Sequence, residues 1–131
     1  MENVIKNMNF KPMLEDVEYE RLAPPSNNTT INMRTWDEIK VERLRSDAVK
    51  VYLERNIKPE PENLFKLAVR FSIEVVINPT AYDALDDAEA FFKTSPVMQV
   101  LCAHVASVVS QITMHSPIGP MITAPMPMMP K

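Results

Sequence analysis

Ser95–Ser116 reads SPVMQVLCAHVASVVSQITMHS, and the choice of fold turns on it. Ser95 stands at an N-cap position and Pro96 at the first helical position, a common way to begin a helix. About twenty residues follow with almost no charge. Val97, Leu101, Val105, Val108 and Ile112 share one helical face, and Met98, Val100, Ala103 and Val109 fill much of the rest. A helix apolar nearly all round is a central core helix or a membrane span, and this one has the length to cross a bilayer. Gln99, His104, Ser107, Ser110 and Gln111 spread polarity around it, which favours the core helix. The rest of the chain then reads as material that packs on this helix or reaches away from it.

Upstream, three more segments carry helical spacing. Thr80–Lys93, TAYDALDDAEAFFK, has Thr80 and Asp83 in a capping pattern, with Ala84, Leu85, Ala88, Phe91 and Phe92 toward the core. Glu62–Ile77, ENLFKLAVRFSIEVVI, places Leu64, Leu67, Ala68, Phe71 and Val75 on one face, with Lys66, Arg70 and Glu74 as a polar stripe. Its second half, RFSIEVVIN, is also a fair strand by β-branched content. The helix is preferred because the pattern begins well upstream and no strand partner is evident. Thr35-Trp36-Asp37-Glu38 forms a capping box for a helix to about Asn56, with Val41, Leu44, Ala48, Val51 and Tyr52 as its stripe.

The ends differ from this middle. Residues 1–34 read as an extended arm with short helical turns, closing on the Pro- and Asn-rich LAPPSNNTTINM. Residues 117–131, PIGPMITAPMPMMPK, hold five prolines and four methionines and read as an extended tail suited to docking on a neighbour. The expected architecture is all-α: a four-helix bundle-like domain at 35–116, between an N-terminal arm and a Pro/Met-rich C-terminal tail.

Composition fits that expectation. The chain has 131 residues, one domain's worth, with one Gly and twelve Pro. A single glycine argues against tight glycine-based hairpins and so against an all-β fold. Cys102, the single cysteine, has no intrachain disulfide partner and reads as a buried structural thiol. MENVIKNMNF lacks the apolar core of a signal peptide, so the chain is expected inside a cell, and the glycosylation patterns at Asn27 and Asn28 carry little weight.

No nucleophile elbow, phosphate loop, paired cysteines or zinc-spaced histidines occur, so no catalytic activity, metal or cofactor is expected. His104 reads as a satisfied core histidine and His115 as a helix C-terminal cap. Asp83, Asp86, Asp87 and Glu89 lack the pattern of a calcium loop and suit the early turns of a helix. The net charge is −3, yet residues 34–70 hold nine basic and seven acidic residues. Arg34, Lys40, Arg43, Arg45, Lys50, Arg55, Lys58, Lys66 and Arg70 on two long helices would meet phosphates by sequence-independent, salt-sensitive contacts. Many copies in an assembly would sum such contacts.

The layout resembles the major capsid proteins of filamentous and rod-shaped double-stranded DNA viruses of hyperthermophilic archaea. The likeness spans about Leu64 to Ile122: a helix, the Asn78-Pro79 turn, a second helix, the Ser95-Pro96 start of an apolar third, and a Ser116-Pro117-Ile118-Gly119 exit. The N-terminal half matches in general plan. The resemblance implies a homodimer, or a heterodimer with a paralogous capsid subunit, many copies of which wrap double-stranded DNA, in A form, into a helical virion assembled in the host cytoplasm. A membrane envelope is compatible with that reading and not required by it. It implies that the basic residues from Arg34 to Arg70 line the DNA, joined by Lys6 and Lys11 on the arm. The alternative is a small helical adaptor that engages a protein partner through its arm and Met-Pro tail, without nucleic acid.

Overall fold

From Phe65 to Ile77 every second residue is large and apolar: Phe65, Leu67, Val69, Phe71, Ile73, Val75 and Ile77. Period two is the period of a strand. In the computed structural model this stretch is β5 (Phe65–Ile77), the strand on which the sheet is built. The structure describes residues 4–8, 11–21, 32–60, 65–115, 121 and 123. The linker at 22–31 with its Asn27 and Asn28 patterns, the exit at 116–119 and most of the 117–131 tail lie outside the described residues.

The other strands are β1 (Ile5–Met8), β2 (Met13–Arg21), β3 (Asn32–Arg45) and β4 (Ala48–Glu60). All pairings are antiparallel. β5 pairs with β4 on one side, and β4 with β3. On its other side β5 pairs with β1 and β2 end to end, so the N-terminal strands form one interrupted edge.

The expected all-α four-helix bundle at 35–116 is therefore wrong: the chain is mostly antiparallel sheet, with three helices after it. The segments expected as the bundle's first two helices supply strands at 35–45, 48–56 and 65–77, and the Thr35 capping box lies inside β3, where Thr35 pairs with Ile57. β4 repeats the alternation of β5: Val49, Val51, Leu53 and Ile57 are buried, and Lys50, Tyr52, Glu54, Asn56 and Lys58 between them are half-buried on the other face. The scarcity of glycine did not prevent hairpins. β3 and β4 join through Ser46-Asp47, with no glycine. There the Asp47 carbonyl accepts the Ile77 amide at 2.8 Å, which ties the turn to β5.

Three helices follow: α1 (Pro79–Asp83), α2 (Ala88–Lys93) and α3 (Pro96–Thr113). The expected helix at 80–93 is split in two. Asn78, not Thr80, caps α1, accepting from the Thr80 and Ala81 amides, and Asp87 caps α2, accepting from Ala90. α3 matches its sequence reading in position. Ser95 is its N-cap residue, but the Ser95 hydroxyl donates back to Phe92 O at 2.7 Å and caps nothing.

α3 lays Val97, Met98, Leu101, Cys102, Val105 and Val109 on the inner face of β5 and β4, where Phe92 joins them. Each such side chain contributes about 1.5–3 kcal/mol by leaving water. α3 is long and apolar enough to cross a membrane by length and composition, yet its most apolar side faces the sheet. His104 is exposed rather than part of the core; its Nδ1 lies 2.9 Å from Val100 O.

Candidate functional site

The site begins with an edge. Among the described residues β3 pairs with β4 alone, so this 14-residue strand stands at the edge of the sheet. Alternation divides its side chains. In register with β4, Arg34, Trp36, Glu38, Lys40 and Glu42 share the outer face with Lys58, Asn56, Glu54, Tyr52 and Lys50. Thr35, Asp37, Ile39 and Val41 share the inner face with Ile57, Arg55, Leu53 and Val51.

A groove opens on each face beside this strand. The outer one, about 420 Å³, is lined by Glu38, Ile39, Lys40, Tyr52, Glu54 and Arg70. The inner one, about 250 Å³, lies between β3 and α2 and is lined by Asp37, Ile39, Asp87, Glu89, Ala90 and Lys93. Ile39 borders both.

The wall of the inner groove is fixed by a buried ion pair. Arg55 Nε donates to Asp37 Oδ1 at 2.8 Å and Nη2 to Asp37 Oδ2 at 2.9 Å, with both side chains fully buried. Bidentate pairing of this kind sets orientation as well as energy. Nearby, burial pushes the Cys102 thiol up to about 11, outweighing the opposite pull of Arg55. Cys102 is thus a buried structural thiol, as its place in an apolar helix implied.

The outer groove is electrically mixed. Glu38 and Glu54 lie directly opposite each other on neighbouring strands. Burial, with Glu38 beside it, holds the Glu54 carboxyl above the usual range, against the pull of Arg70. Lys40 and Lys50 both stand over the Tyr52 ring, at 6.0 and 5.4 Å. Deeper along the face, Ser72 donates to Glu15 and Lys50 Nζ stands 3.0 Å from Glu15 Oε1. These bonds, Ser72 first, hold the Glu15 carboxyl low, and Glu15 in turn raises the Lys50 ammonium.

The basic residues expected to line DNA do not form one stripe. Arg34, Lys40, Lys50, Lys58, Lys66 and Arg70 share the outer face, interleaved with Asp16, Glu18, Glu20, Glu38, Glu42, Glu54 and Glu74. Arg43 pairs with Asp83 at 2.6 Å, Arg45 with Asp47 and Glu74, and Arg70 approaches Glu54 at 3.9 Å. Arg55 is inside the molecule, and Lys6, in β1, and Lys11, between β1 and β2, are exposed. The groove residues Asp37, Ile39, Glu54 and Lys93 were not candidate site residues from sequence, and Asp87 entered only with an acidic group assigned to the early turns of a helix. One signal was present: Arg55 interrupts the buried run Val49, Val51, Leu53, Ile57, and a charge at an inward strand position demands a partner.

No family model and no curated protein matches the sequence. Among solved structures, the SecB-like chaperone Rv1957 of Mycobacterium tuberculosis, in complex with a ChAD peptide from the Rv1956 HigA1 antitoxin, matches with a TM-score of 0.70. The identity is 10%, over 90% of this chain and 88% of that chain, so the likeness is one of fold. It overturns the capsid resemblance. A mostly antiparallel sheet with short helices is not the helical bundle that family implied. The DNA-wrapping filament, the capsid dimer and the virion location depended on that bundle and fall with it.

Proposed function

We propose that this chain is a protein-binding module of the chaperone type, which holds an extended segment of a partner polypeptide beside the edge strand β3, in the two grooves that flank it. It acts by binding, without catalysis. The observation that carries this reading is the pair of grooves on opposite faces of one edge strand, meeting at Ile39. A polypeptide added to a strand edge gains main-chain hydrogen bonds for affinity and sends alternate side chains to opposite faces, where pockets give selectivity. Here one set would enter the mixed-charge outer groove and the other the inner groove against α2. The fold likeness to a chaperone solved with a bound peptide supports the same reading. It is nearer to the adaptor alternative than to the capsid, with the engaged surface moved from the arm and Met-Pro tail to β3.

The test is hydrogen exchange of the whole chain with and without a permanently unfolded polypeptide. Binding at the edge slows exchange in β3 and leaves β5, already paired on both sides, unchanged. Binding that leaves β3 exchange untouched, or no binding at all, would remove the assignment.

A further inference from the structure

Arg55 also reaches beyond the sheet. Its Nη1 donates to Thr123 Oγ1 at 2.8 Å, with Thr123 only 8% exposed. Two residues earlier the Met121 amide donates to Thr113 Oγ1 at 2.7 Å, while the Thr113 hydroxyl donates to Val109 O. The Met121 side chain packs on the core. The chain beyond α3 therefore returns to the last turn of that helix and seats two residues on the inner layer. Thr123 is one side chain removed from Asp37, the wall of the inner groove.

A backbone donor satisfied by the host, a side-chain hydroxyl held by a buried arginine and an apolar side chain against the core are the contacts by which a protein surface holds an extended polypeptide. The sequence that supplies them has the chemistry of an unfolded segment: Pro117–Lys131 is rich in Met and Pro, and its one charge is the final lysine.

We propose that Met121 and Thr123 act as an internal ligand of the client-binding surface. Thr123 fills a hydroxyl subsite on Arg55, and an incoming extended segment carrying Ser or Thr takes its place. The inference rests on the function proposed above. Tethering gives the segment an effective concentration in the millimolar range. It therefore weakens the apparent affinity for a client by the fraction of time the subsite is filled.

The test uses the full chain and a fluorescent, permanently unfolded polypeptide as probe. In Thr123→Val the hold on Arg55 is lost, and the probe should bind about tenfold tighter, as expected when a subsite filled about nine-tenths of the time is vacated. In the unaltered chain, saturating probe should speed exchange of the Met121 amide about tenfold, since release of the segment breaks its bond to Thr113. Probe binding with Met121 exchange unchanged, and no gain in Thr123→Val, would overturn the internal ligand and leave the β3 reading standing. If Thr123→Val fails to fold, the Met121 exchange decides alone. Failure of the probe to bind either chain would overturn both.

Discussion

Asp37 and Arg55 stand opposite each other in the β3–β4 register and are joined by two hydrogen bonds, with neither side chain reaching solvent. The pair spans the edge strand and its neighbour, so it fixes the part of β3 that borders the inner groove. Asp37→Ala would leave a guanidinium buried without its counter-charge. Breaking such a pair from one side costs about 3–5 kcal/mol, whereas replacing both partners by apolar groups is often near neutral. Urea unfolding should show that loss in Asp37→Ala and recovery of most of it in the Asp37→Leu, Arg55→Met double variant. A double variant as weak as the single one would mean that the arginine's charge is not what destabilises.

The facing carboxylates of Glu38 and Glu54 make the sheet less stable at neutral pH than in mild acid. The Glu54 carboxyl is held above 4.5, chiefly by burial and then by Glu38. The folded chain thus binds more protons than the unfolded chain from about 4.5 up to the raised value, and stability falls as pH rises through that window. Glu54→Gln removes the term. It should raise stability at pH 7 by about 0.5 kcal/mol, the size of a like-charge cross-strand pair, and flatten the dependence above pH 4.5. Urea midpoints at pH 5 and 7 measure both, and an unflattened profile would assign the dependence to another group.

α3 was legible because its apolar residues run long, Pro96 opens it and no charge interrupts it. The Asn78-Pro79 break was legible for the same local reason, since proline suits the first turn of a helix. β5 was misread because Ala68 and Val76 put small or apolar residues on its second face, which lets a three-four spacing run through a period-two strand. β3 and β4 together mimicked one long helix because the Ser46-Asp47 turn lacks glycine and proline. The grooves were beyond reach of local pattern altogether. Asp37, Ile39, Asp87 and Lys93 lie on elements that only the antiparallel register and the packing of α2 bring together.

Cys102 should be chemically silent in the folded chain. It is fully buried on the inner face of α3, and its thiol titrates at about 11. Alkylation proceeds through the thiolate, and an ordinary cysteine titrates near 8.5. At pH 8 the thiolate fraction alone should slow iodoacetamide labelling by about two-hundredfold relative to the urea-unfolded chain, before any steric shielding is added. Mass spectrometry of the labelled protein gives the ratio. Labelling as fast as in the unfolded chain would show that α3 detaches readily from the sheet.

Partner binding at β3 should depend on shape far more than on salt. Acids and bases alternate along the outer groove, Glu38, Lys40, Glu54 and Arg70, so no net field draws a ligand of one sign. Main-chain hydrogen bonds and apolar contact at Ile39 are short-range and little affected by screening. Raising NaCl from about 0.05 to about 0.5 M, which shortens the screening length severalfold, should change the Kd of an unfolded polypeptide by less than about threefold. Ile39→Asp puts a charge at the one residue shared by both grooves, and the penalty for burying it unpaired should weaken binding by about tenfold or more. Ile39 is half-buried at an edge rather than in the centre of the core, so far-ultraviolet circular dichroism should show the variant folded. A folded Ile39→Asp chain that binds as well as the original, or a Kd that weakens steeply with salt, would move the binding surface away from β3.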